Sequence, residues 1–148
     1  MEESTRSYRL VTTADDLAAV AKTLQSAEAI GLDLETTALS PRDGGVRLLQ
    51  LATPEETFVV DVFGVTDLSP LKEVLENGPT KVLHNGKFDY QFLHALHGIA
   101  LSPVFDTMLA AQVLAGGNYA ASYSLEAVAE RYLDQSLLCS DLSSDSSR

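Results

Sequence analysis

The sequence predicts an α/β fold: a mixed sheet of five or six strands with helices on both faces. Two observations carry this. Short apolar runs of strand length alternate with stretches whose apolar residues recur every three or four positions. A hairpin-like pair of runs comes early and strands alternate with helices afterwards, which calls for antiparallel and parallel pairing together.

Residues 1–7 read as a flexible terminus and Tyr8 to Val11 as a short edge strand. Thr13-Ala14-Asp15-Asp16 fits a capping box, and Ala14, Leu17, Ala18, Ala21 and Leu24 follow at helical spacing, so a helix is expected over 14–26. Ile30-Gly31-Leu32-Asp33-Leu34-Glu35-Thr36-Thr37 is a short apolar run of the buried-strand type. Turn residues at 40–45 separate it from a strand at 46–51, and Thr53-Pro54-Glu55-Glu56 turns the chain into a third at 57–63. These last two form a hairpin. Leu68, Leu71 and Leu75 mark a short helix that starts at Ser69-Pro70 and stops at Gly78-Pro79. A fourth strand at 80–84 leads into a helix over 86–97 closed by Gly98. Pro103-Val104-Phe105 reads as a short fifth strand, and Asp106 as the N-cap of a helix reaching Gly116-Gly117. Leu125, Val128, Ala129 and Tyr132 mark the last helix. From Asp134 the composition turns Ser/Asp-rich, so residues 8–133 are expected to be the folded domain and 134–148 a disordered tail.

The 148 residues suit one domain with an adequate core. A formal net charge of −11 disfavours broad clamping of duplex DNA, which needs a basic face. It leaves room for an enzyme that handles a nucleic-acid end through metal ions, because bound cations invert the local field. No apolar run approaches the ~18 residues of a membrane span, and Met1-Glu2-Glu3 is no signal-peptide start. One cysteine, Cys139, excludes a disulfide framework within the chain and points to the cytoplasm.

Two acids interrupt the apolar run at 30–37. Strand side chains alternate, so Asp33 and Glu35 share one face and Leu32 and Leu34 the other. Like charges side by side on a buried strand call for a cation between them. A third acid lies in His84-Asn85-Gly86-Lys87-Phe88-Asp89-Tyr90, where the fourth strand becomes a helix. Asp89 shares the apolar face of Phe92, Leu93 and Leu96, with Asn85 one turn earlier on that side. Ligands of such sheets gather beyond the carboxyl ends of the strands, where both segments lie. Together the three carboxylates would make an oxygen-rich site for Mg²⁺ or Mn²⁺. Each acid alone has a plainer reading: a turn or cap residue, or, for Asp89, a partner of Lys87 or of the sheet.

Leu32-Asp33-Leu34-Glu35-Thr36-Thr37 followed by Asn85-Gly86-Lys87-Phe88-Asp89 resembles the first two motifs of the DEDD 3′–5′ exonucleases. The branch it resembles holds ribonuclease D and the proofreading domains of family A DNA polymerases. Phe105-Asp106-Thr107-Met108-Leu109-Ala110 and Tyr123-Ser124-Leu125-Glu126-Ala127-Val128-Ala129 resemble two further segments, in the same order. The resemblance implies a ribonuclease H-like three-layer fold and hydrolysis of the terminal phosphodiester by two Mg²⁺ or Mn²⁺ ions. It implies Asp33, Glu35 and Asp89 as catalytic metal ligands. Thr36, Leu39, Asn85 and Phe88 would bind the substrate, a single-stranded 3′ end of DNA or RNA. The lack of an evident Ser/His/Asp or Cys/His nucleophile agrees with direct hydrolysis.

The family's third motif, Tyr-x-x-x-Asp on a later helix, has no match: the fourth residue after Tyr119, Tyr123 and Tyr132 is Tyr123, Ala127 and Ser136. Ser136-Leu137-Leu138-Cys139-Ser140-Asp141-Leu142 resembles the segment that precedes it, so the expected domain is C-terminally truncated. A mobile Asp141 or Asp145 is a poor substitute for the missing acid. The sequence therefore predicts a weak or inactive nuclease when the chain acts alone. The alternative is a binding fragment of a larger or split polymerase or nuclease, completed by a polymerase domain or the missing C-terminal part. A shortened domain would also leave an apolar face open to self-association. His84 reads as a structural strand-end residue, His94 and His97 as exposed helix positions, Gly116-Gly117 as a helix stop and Cys139 as an inert thiol.

Overall fold

The structure is a computed structural model that describes residues 7–118 and 120–133. The expectations for residues 1–6, Tyr119, Cys139, Asp141, Asp145 and the 134–148 tail fall outside the described residues. The chain divides into two compact units, Met1–Asp106 and Thr107–Arg148.

The first unit is built on a mixed sheet. Its strands are β1 (Tyr8–Val11), β2 (Ala29–Thr36), β3 (Val46–Ala52), β4 (Thr57–Asp61), β5 (Thr80–Leu83) and β6 (Val104–Asp106), in the spatial order β1-β4-β3-β2-β5-β6. β2, β3 and β4 run antiparallel to one another in turn, and the β1–β4, β2–β5 and β5–β6 pairs are parallel. The 46–51 and 57–63 segments thus form the expected hairpin, although β4 ends two residues early. Asp61 stops it: its Oδ1 accepts from the Phe63 and Gly64 amides and is paired with Arg47.

The core lies on one face of this sheet. Ile30, Leu32 and Leu34 of β2 are buried there with Leu49, Leu51, Phe58, Val60, Val11 and Leu83. The pairing register puts all of these on the same side. Helices α1 (Ala14–Gln25), α2 (Lys72–Asn77, preceded by a 3-10 turn at Ser69–Leu71) and α3 (Gly86–His97) supply the facing layer. α1 begins at an extended Thr13, whose hydroxyl accepts from the Asp16 amide at 3.2 Å and donates to the Asp16 carboxylate at 2.7 Å. Its buried stripe is Leu17, Val20, Ala21 and Leu24. The expected Ala14 and Ala18 are exposed, and Val20 completes the three-and-four spacing instead. In α3 the stripe is Phe92 and Leu93 with a half-buried Phe88, while the expected Leu96 is 42% exposed. The core there is filled by Ile99 and Leu101, after the left-handed Gly98 has ended the helix.

A buried lysine stands in this core. Lys81 of β5 is 0% exposed, and its ammonium donates to the carbonyls of Val74 at 3.2 Å and Ser102 at 2.5 Å. Burial pulls its pKa down to about 8.

The second unit contains α4 (Thr107–Leu114) and α5 (Leu125–Leu133), which pack on each other. Gly116 and Gly117, both left-handed, end α4 by returning their amides to the carbonyls of Val113 and Gln112. The Ser124 hydroxyl caps α5 by accepting from the Ala127 amide.

Candidate active site

β2 is an interior strand with β3 on one side and β5 on the other. Its eight residues alternate as expected, but it is buried on one face only. Asp33 and Glu35 sit on the opposite face and are exposed, which corrects the expectation of acids on a buried strand. On that face the register sets Asp33 beside Gln50 and Glu35 beside Leu48. The remaining surroundings still cost Asp33 water. Burial raises its pKa above the ordinary value, and the Leu34 amide pulls the other way.

Pairing between β2 and β5 ends at Gly31 and Val82, while β2 runs on to Thr36. Beyond that point the β5 side of β2, where Leu34 lies, has no strand beside it among the described residues. Asp89 of α3 takes the Leu34 amide there, with Oδ1 accepting from Leu34 N at 3.1 Å. The acid is thus bonded to the sheet rather than held as a surface charge, and it is 3% exposed. Its pKa is pushed up to about 7, first by burial, then by the charge of Asp33, with a smaller push from Asp106; backbone amides oppose the shift. Keeping Asp89 ionised in this setting costs on the order of 4 kcal/mol. A helix N-terminus returns only about 0.3–1 kcal/mol, so the macrodipole does not explain the charge.

The three carboxylates therefore surround one residue. Asp33 and Glu35 flank Leu34 in the chain, and Asp89 is bonded to its amide. Among the described residues no three His, Cys, Asp or Glu groups lie close enough together to hold a metal ion. The donor chemistry does fit a hard divalent cation: every donor is a carboxylate oxygen, and the buried one is destabilised by its neighbour's charge.

The expected substrate residues fall on two segments, Thr36 and Leu39 at and after the end of β2 and Asn85 and Phe88 at the start of α3. The Thr36 hydroxyl donates to the Ala38 carbonyl at 2.7 Å and begins the loop after β2. Thr37 and Gly45 close that loop by backbone and hydroxyl hydrogen bonds, and a Cβ at Gly44 would come within 2.5 Å of the Thr37 hydroxyl. Leu39 stands out of this loop, 91% exposed. Phe88 is half-buried, its ring centroid 5.1 Å from that of Phe92. Asn85 is exposed and left-handed, with φ 57° and ψ 44°, a conformation asparagine tolerates better than most residues.

Asp106 is the residue whose placement could not be read from the sequence. It stands just before α4, as expected of a cap, but it closes β6 and also caps α3. Its carboxylate accepts from Asn85 N at 3.2 Å and Gly86 N at 2.7 Å. Only the Leu83–Asp106 register of β5 and β6, across 20-odd residues of chain, brings them together. His97, expected exposed, is half-buried, and burial lowers its pKa.

A family model described as 3′–5′ exonuclease matches residues 8–147. The chain is 31% identical to DNA polymerase I of Aquifex aeolicus over 90% of its own length and 22% of the relative's. It is 33% identical to ribonuclease D of Escherichia coli over 70% of the chain and 28% of the relative. The crystal structure of Escherichia coli RNase D superposes with a TM-score of 0.77 at 30% identity, over 88% of this chain and 34% of that one. The catalytic core of Trypanosoma brucei RRP6 superposes with a TM-score of 0.78 at 25% identity, over 98% and 40%. The chain thus spans between 22% and 40% of these proteins, and the fold it shares with the solved structures is the ribonuclease H-like one. With a match that begins at the first strand and takes in both acid-bearing segments, this chain belongs to the 3′–5′ exonuclease domain family.

Proposed function

We propose that this chain removes nucleotides one at a time from the 3′ end of a single-stranded nucleic acid, with Asp33, Glu35 and Asp89 as the ligands of two Mg²⁺ or Mn²⁺ ions. The family's hydrolysis is metal-dependent. The observation that carries the reading is Asp89: a 3%-exposed acid, bonded to the amide between the other two acids and opposed by the charge of one of them. Such an acid is relieved by a cation more than by any other neighbour. When bound, a pair of ions would activate a water and stabilise the leaving 3′-oxygen. The chain's own residues position them. β2 holds Asp33 and Glu35 on one open face, and α3 delivers Asp89 to the edge of the same strand. Thr36 and Leu39, the latter exposed on the adjoining loop, pack near the terminal nucleotide, and Asn85 and Phe88 help hold the substrate strand. The lone Cys139 suits the reducing cytoplasm.

Turnover by the chain alone is slow in this reading, because no Tyr-x-x-x-Asp supplies a fourth carboxylate and a water-positioning group. A second reading, a part that binds metal and a nucleic-acid end but needs a polymerase or other domain for turnover, is favoured by that same lack. Incubating 5′-labelled single-stranded DNA and RNA with Mn²⁺, using the wild type and Asp33→Ala, separates the two. A one-nucleotide ladder from the wild type alone supports the enzyme. Retention of the strand by the wild type without any ladder supports the binding part.

A further inference from the structure

Asn85 is the N-cap of α3, yet its side chain makes no capping hydrogen bond. The first amides of the helix are met from another strand. Asp106 Oδ1 accepts from Asn85 N at 3.2 Å, and Oδ2 accepts from Gly86 N at 2.7 Å. Carboxylate-to-amide bonds of this charge-assisted kind are stronger than neutral ones. They hold the chain where it leaves β5 in a left-handed turn that only a few residue types tolerate. Close packing fixes the same spot, since a Cβ on Gly86 would lie 3.0 Å from the Leu83 side chain. One turn further on, Asp89 reaches the Leu34 amide at 3.1 Å. The first turn of α3 is therefore pinned at both ends by carboxylates, to β6 through Asp106 and to β2 through Asp89.

We propose that Asp106 is a positioning residue for the metal site: by clamping the start of α3 to the end of β6, it sets where Asp89 stands against Asp33 and Glu35. This rests on the three acids being the metal ligands. Asp106 itself is no ligand in this scheme; it acts through the backbone of α3. Partners that orient metal ligands typically account for about 10–100-fold in metal affinity, and Asp106 is assigned that share.

The test is Mn²⁺ binding to the full chain, followed by electron paramagnetic resonance of the free ion, for the wild type, Asp106→Ala, Asp106→Asn and Thr13→Ala. Asp106→Ala is expected to weaken Mn²⁺ binding by about 10–100-fold. Asp106→Asn keeps one acceptor oxygen and should lose less. Thr13→Ala removes the cap of α1, a destabilisation of similar kind far along the chain from the acids, and should leave the Mn²⁺ affinity unchanged. Each protein is read below its unfolding transition. Wild-type affinity in Asp106→Ala, or an equal loss in Thr13→Ala, would overturn the positioning role. No saturable Mn²⁺ binding by the wild type, or binding that survives Asp33→Ala, would overturn the metal-ligand assignment itself, and the Asp106 role with it.

Discussion

Asp89 shows at the scale of one residue how a site can be held under tension. Its folded pKa of about 7 stands above the ordinary 3.8, so between those values the folded chain binds a proton that the unfolded chain has released. Stability from this group is therefore greatest in acid and is lost as pH rises through about 7. Asp89→Asn keeps an oxygen for the Leu34 amide and has no charge to bury. In metal-free buffer it should exceed the wild type in stability by on the order of 1–4 kcal/mol at pH 8, with the two curves meeting below about pH 4. Urea denaturation at several pH values reads this directly, and an equal difference at all pH values would contradict it. That Asp89 is a buried acid was legible beforehand, because it shares a helical stripe with Phe92 and Leu93. Its bond to Leu34 was not, because the two are 55 residues apart and periodicity speaks only of neighbours.

At the scale of the element, β5 carries the sharper surprise. Its sequence reads as an ordinary strand, and alternation puts Lys81 and Leu83 on one side without saying which side is wet. Pairing of Lys81 with Ile30 and Val104 turns that side inward, and the carbonyls of Val74 and Ser102 receive the ammonium. Here the linkage runs opposite to that of Asp89. The folded pKa of about 8 lies below the ordinary 10.5, so the unfolded chain binds more protons between them and stability rises with pH across that window. Relative to Lys81→Met, which cannot titrate, the wild type should gain on the order of 2–3 kcal/mol between pH 7 and pH 10.5, as read by chemical denaturation. A flat difference would mean that the amine is hydrated. α1 is the contrasting case: its capping box was readable from four consecutive residues, and Thr13→Ala should cost about 0.5–2 kcal/mol at any pH above the carboxylate range.

For the whole molecule, the charge of −11 and the carboxylate site act together. Without divalent ions the chain should not retard a DNA duplex in a native gel even at low salt, since a net charge of −11 opposes contact with the phosphates. With Mn²⁺ its melting temperature should rise, because an ion at about 100 times its dissociation constant adds about 2.7 kcal/mol to the folded state. That rise should vanish on chelation and in Asp33→Ala, as followed by calorimetry; a rise of equal size in Asp33→Ala would place the ion elsewhere. The sequence by itself determined the succession of elements, the hairpin, the shared side of Asp33 and Glu35 and the family, because hydrophobic period, turn residues and motif order are local properties of the chain. Only the tertiary structure decided which face of β2 is buried, that Asp106 caps α3 and that Lys81 lies in the core. Those depend on strand order and register, which bring together residues that no local pattern connects.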